Sequence, residues 1–228
     1  MKQMLLFVML LIFLSSCAKQ DESVGLPFDD LIIEYNFESG LQSWEGDFTD
    51  YPLALASDSL QFQYELAKLP DYLNQKQNAL KFSFDNPNAD VFAFATRAYD
   101  GLPANRLYLV SFQAEIATKY AGDAGNAIFM KAGATSYKPV KTLYGNFYGI
   151  NLMKGNHGQT GPQTALLGKA IAPLNTGNFQ MISLKTETPV IMSSDNTGKM
   201  WLTVGFDSAF PARTELYISK IRVFFRPA

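Results

Sequence analysis

One cysteine and one histidine in 228 residues exclude more than any motif here includes. With a single Cys there can be no intrachain disulfide, so packing must hold the fold. With a single His, a Ser-His-Asp or Cys-His arrangement would have to use His157, and no G-x-S-x-G elbow accompanies it. A zinc site built from protein ligands is disfavoured on the same count. Charge of one sign is also scarce: 19 Lys and Arg face 21 Asp and Glu, scattered along the chain, for a net charge of −2. Nucleic-acid binding needs clustered cations to displace counterions, and none are clustered here. No internal repeat and no long stretch of helical periodicity is visible. The one sustained apolar run, Met4–Leu14, is too short to cross a hydrocarbon layer of roughly 30 Å as a helix.

That run, preceded by Lys2 and followed by Leu14-Ser15-Ser16-Cys17, reads as a secretory signal ending in a lipobox. Residues 1–16 are expected to be removed, leaving Cys17 to receive a diacylglycerol. Ala18 to Asp30 then mixes charge with Gly25 and Pro27 and little apolar content, so residues 17–30 read as a flexible tether. The expected address is extracytoplasmic, on the outer membrane of a Gram-negative bacterium, facing the periplasm or the surface. The lipid anchor is the only membrane contact expected.

Beyond residue 31 the pattern has period two. Leu60, Phe62, Tyr64 and Leu66 alternate with polar residues, as do Leu80, Phe82 and Phe84. Between Arg106 and Thr118, Tyr108, Val110, Phe112, Ala114 and Ile116 share one face. Further strands are predicted at Leu31–Phe37, Val91–Ala98, Ala127–Lys131, Phe179–Leu184, Met200–Phe206 and Glu215–Phe225. Asn, Gly, Asp and Pro punctuate them. The expected fold is all-β, an antiparallel sandwich formed as one domain over residues 31–228, with Phe82, Phe84, Val110, Phe112 and Val204 pointing between the sheets. Two stretches break the alternation: Gln42 to Leu55, too irregular for a strand, and Gly145 to Gly168, rich in Gly, Asn and Gln.

The opening Tyr35-Asn36-Phe37-Glu38-Ser39-Gly40-Leu41-Gln42-Ser43-Trp44 and the closing Glu215-Leu216-Tyr217-Ile218-Ser219-Lys220-Ile221-Arg222-Val223 resemble the first and last strands of galactose-binding-like jelly rolls, a group that includes many carbohydrate-binding modules. Segments around Trp44–Pro52, Gly101–Tyr108, Met130–Ala134 and Asn151–His157 resemble a family of uncharacterised bacterial lipoproteins with such a domain. The resemblance implies a jelly roll and carries no assigned chemistry. It also raises a structural calcium, with Glu38 as an acidic ligand from the first strand. Ser219 stands where the last strand would supply an Asp, and a serine hydroxyl is a poor calcium ligand.

If function is local, it falls on the two irregular stretches. Trp44 and Tyr51 are candidates for a sugar-stacking platform, with Asp47 and Asp50 accepting hydroxyl hydrogen bonds and Lys154, Asn156 and His157 supplying polar contacts. Each has a structural alternative: Trp44 can plug one end of a sandwich, Asp47 and Asp50 can cap backbone N–H groups, and the polar loop can satisfy its own turns. No catalytic residue and no cofactor is assigned. The expected function is non-catalytic binding of a glycan or another polar polymer. The alternatives are a structural or assembly subunit with an envelope protein as partner, and a glycoside hydrolase using two facing carboxylates.

Overall fold

The computed structural model describes residues 30–55, 57–73 and 76–228. The expected signal segment, Cys17 and the expected tether up to residue 29 lie outside the described residues. Among the described residues, fifteen strands run in the order β1 (Leu31–Asn36), β2 (Glu45–Thr49), β3 (Tyr51–Pro52), β4 (Gln63–Lys68), β5 (Asn78–Phe84), β6 (Phe92–Tyr99), β7 (Leu107–Thr118), β8 (Ile128–Thr135), β9 (Lys141–Tyr144), β10 (Phe147–Ile150), β11 (Thr164–Lys169), β12 (Gln180–Lys185), β13 (Val190–Ser193), β14 (Met200–Ser208) and β15 (Thr214–Pro227). A five-residue helix, α1 (Gly122–Asn126), links β7 to β8.

The strands form an all-β antiparallel sandwich of two main sheets. In the larger sheet β7 and β15 are central. One half of β15 pairs β5, which carries β4, and the other half pairs β1, while β12 and β13 share the far edge of β7. The second sheet runs β11-β8-β14-β6-β2, and a small three-stranded sheet, β3-β10-β9, adjoins it.

Between the main sheets lies a dry core. Tyr108, Val110, Phe112, Ala114 and Ile116 of β7 are all buried there, as the alternation required. Phe82, Phe84 and Val204 are fully buried in the same cluster, and the Phe82 ring meets Phe206 edge-on at 5.7 Å. Such pairs join the sheets through area and quadrupole alignment together.

Three expectations need correction. Gln42 to Leu55 is not free of strand: it holds β2 and β3, whose sequence Glu45-Gly46-Asp47-Phe48-Thr49 lacks β-branched enrichment yet pairs β6 through the backbone. Gly145 to Gly168 likewise contains β10 and most of β11. Leu60 is not in a strand. It closes a short 3₁₀ turn, Ser57–Leu60, and is fully buried, while β4 begins at Gln63.

Candidate functional site

The outward face of the second sheet positions the site. Residues 151–163, joining β10 to β11, cross this face above β8 and β14. Gly133 lets them approach: a Cβ there would lie 2.4 Å from the Gln163 carbonyl oxygen, while a Cβ at Gly205 would lie 2.9 Å from the Phe92 ring of neighbouring β6. Phe92 and Phe94 stack at 5.4 Å and 14°, and Ile150 and Leu152 bury against them in a second apolar cluster outside the main core.

Beside this cluster lies a buried network of charge. Lys131 on β8 and Asp207 on β14 are both fully buried and are 2.9 Å apart. The Lys131 ammonium also donates to the carbonyls of Lys154, Gly155 and Asn156 at 3.1, 3.1 and 2.8 Å. Lys154 reaches back to Asp207 and to Asp50, each at 2.8 Å, with its Nζ 5.2 Å from the centroid of the Phe92 ring. His157 bridges two carboxylates: Nδ1 is 2.9 Å from Asp207 and Nε2 is 3.2 Å from Asp90. Its ring lies over Phe129 at 6.3 Å.

Burial alone would raise the Asp207 carboxyl, but the hydrogen bond from His157 and the charges of Lys154 and Lys131 outweigh it and hold it at about 2. Burial lowers Lys131, against the pull of Asp207. Burial also opposes charge on Lys154, yet Asp207 and Asp50 together raise it. The hydrogen bond to Asp207 raises His157. Asp50 and Asp90 are both raised, chiefly by burial. With the imidazole protonated, three cations meet three anions and the network is neutral, the condition under which buried charge is tolerable.

Asp90, His157 and Asp207 bring ligand atoms within 4.8 Å of one another. The second oxygen of Asp207 is already held by two ammonium groups, and each imidazole nitrogen faces a carboxylate. This is the geometry of a doubly donating imidazolium, and we assign the cluster to it rather than to a metal.

Of the residues singled out from sequence, Asp50, Lys154 and His157 converge on this network. Asn156 joins it through its backbone carbonyl, and its residue is exposed. Asp47 lies apart, paired with Lys141 at 2.8 Å and accepting the Phe48 N–H. Trp44 and Tyr51 do not form a platform. Each is only 2% exposed, Trp44 edge-on to Tyr35 at 5.4 Å and Tyr51 stacked on Phe48 and tilted against Tyr148, so neither offers a free ring face. Glu38 is exposed, and the buried Ser219 hydroxyl donates to the Glu115 carbonyl. Sequence reasoning missed Lys131, Asp207 and Asp90. A signal existed for the first two, since each is the only charge in its strand, Ile128–Thr135 and Met200–Ser208.

At the other end of the same face, a groove of about 200 Å³ has Phe94 and Thr96 among its lining, with Glu45 and Asp47 from β2 and Lys138, Pro139 and Val140 from the segment before β9. Lys138 pairs with Glu45 at 2.6 Å and lies 5.3 Å from the ring centroid of half-buried Trp201.

No protein-family model and no curated protein matches the chain. Solved structures resemble it in outline. TmCBM61, in complex with β-1,4-galactotriose, is 13% identical, with a TM-score of 0.41 over 83% of this chain and 93% of its own. The mannan-recognising carbohydrate-binding module TmCBM27 is 11% identical, with a TM-score of 0.42 over 86% of this chain and 98% of its own. The CBM22-1 xylan-binding domain from Paenibacillus barcinonensis is 10% identical, with a TM-score of 0.42 over 86% and 94% respectively.

Proposed function

We propose that this chain is a lipid-anchored, extracytoplasmic binding protein for a glycan or another polar polymer, holding its ligand without turning it over. The observation that carries the reading is the groove beside Trp201. Its lining includes Glu45 and Asp47, paired with Lys138 and Lys141 respectively, with an aromatic surface alongside. Paired charges leave no net field to select an ion, while their spare lone pairs and protons suit hydroxyl groups. The buried carboxylate Asp207 is committed to Lys131, Lys154 and His157, an arrangement that holds its charge fixed rather than passing a proton.

A glycan array probed with the purified chain tests this. Binding that falls in Glu45→Gln and Lys138→Ala, with unfolding curves unchanged, supports the groove. Binding that survives both variants places the ligand elsewhere. Acylation at Cys17 is tested separately, by labelling cells with a fatty-acid analogue, which should mark the native chain and not Cys17→Ser.

A second reading, an assembly subunit of an envelope complex, is favoured by Leu53, Val140, Leu143 and Tyr144, all exposed on or beside the small sheet. A chain that binds no glycan but cross-links in cells through this face would establish it.

A further inference from the structure

We propose that residues 151–163 form a strap, latched by His157 over the Phe92–Phe94 stack, that loosens when the imidazole gives up a proton. This concerns the mobility of the sheet face and stands whatever ligand the groove takes.

Charge fastens the middle of the strap, while neutral hydrogen bonds hold its two ends, Asn151 to Val140 and Lys138 and Gln163 to Tyr137 and the Ala134 N–H. Lys131 reaches up from β8 to three consecutive strap carbonyls, and Lys154 reaches down from the strap to Asp207 and Asp50. His157 closes the far side on Asp207 of β14 and on Asp90, which precedes β6. Lys169 of β11, 6.0 Å from the centroid of the Phe129 ring that stacks on the imidazole, is the remaining charged group nearby. Leu152 is the strap's buried apolar contact with the stack, and Met153 is exposed.

Protonation therefore sets the sign. A protonated ring donates to both carboxylates. A neutral ring can donate to only one, and it leaves three anions facing two cations in a partly buried site. The raised affinity of His157 for its proton means that the latch is complete below the ordinary imidazole value of 6.5 and is lost as pH rises through the higher value in the folded chain.

Because His157 is the only histidine in the chain, its ring protons in an NMR titration report the latch without ambiguity. Amide hydrogen exchange, corrected for its intrinsic pH dependence, is read over the same range on the full chain. The reporters are Met153, Gln159, Gly161 and Gln163, whose N–H groups are hydrogen-bonded within the loop and to Thr164. A several-fold rise in their exchange, relative to β7 and β15, is expected at the imidazole midpoint. Asp90→Asn, a change at the exposed rim, should move both midpoints down together. His157→Gln should exchange faster throughout and show no step. Strap exchange that ignores the imidazole midpoint, or a step that persists in His157→Gln, overturns the proposal.

Discussion

The two faces of the second sheet are equally buried where β8 and β14 meet the strap, and they are built from opposite materials. Met130, Ala132, Val204 and Phe206 point inward to a dry core. Lys131 and Asp207, one residue along the same strands, point outward and are also inaccessible. Alternation separates the faces of a strand. It does not say that the polar face is wet. The dry side gains from area removed from water, and any apolar residue of the right volume would serve. The charged side gains only while every member keeps its partners, so it specifies where the strap lies rather than adding net stability.

This contrast can be broken in order of expected effect. Lys131→Met leaves Asp207 short of a partner and three strap carbonyls without their donor, and should cost about 3–5 kcal/mol. Phe112→Ala empties part of the dry core and should cost a similar amount, about 3–5 kcal/mol. Denaturant unfolding at two pH values separates them. The Lys131→Met penalty should shrink in acid as Asp207 is protonated, whereas the Phe112→Ala penalty should not move. Equal pH responses would show that the charged layer is not electrostatic in origin.

Asp207 itself predicts the acid limb. Its folded value, about 2, lies below the ordinary 3.8, so its contribution is complete above 3.8 and is lost as pH falls through about 2. Asp207→Asn should flatten that limb in an acid titration of stability. A smaller effect comes from Gly205→Ala. Its new Cβ would fall 2.5 Å from the Ala93 carbonyl oxygen and 2.8 Å from the Phe94 Cβ, costing about 1–3 kcal/mol in thermal unfolding. Smallest is Glu45→Gln. Its pair with Lys138 is largely exposed, and stability should change by less than about 1 kcal/mol.

The dry side was readable from sequence and the charged side only in part. Strict alternation in β7 predicted five inward residues correctly, because a half-buried strand imposes period two on its own sequence. β2, β10 and β11 escaped detection. Glycine, aspartate and aromatics stand in β2 and β10 in place of an alternating set, and β11, Thr164-Ala165-Leu166-Leu167-Gly168-Lys169, loses its alternation at an irregularity between Leu166 and Gly168. Asp50, Lys154 and His157 were picked out for lying where patterning fails. Their true partners, Lys131 and Asp207, sit inside well-patterned strands, where a lone charge looks like an ordinary outward residue. Trp44 and Tyr51 show the converse: a local break in pattern marks a bend in the chain as readily as a binding surface, and only the packing around each ring distinguishes the two.

β15 runs for 14 residues through the middle of the larger sheet. It pairs Leu31 with Phe225, Leu80 with Ile218 and Phe112 with Val223, so each neighbour lies more than a hundred residues back along the chain. In terms of time rather than energy, the larger sheet can pair β4 with β5 and β7 with β12 and β13 early, but β1 and the facing edges of β5 and β7 must wait, unpaired, until this strand arrives to join them. Such topology folds slowly and in one late step. A chain interrupted before residue 214 should therefore remain an aggregation-prone collapsed state rather than a smaller sandwich.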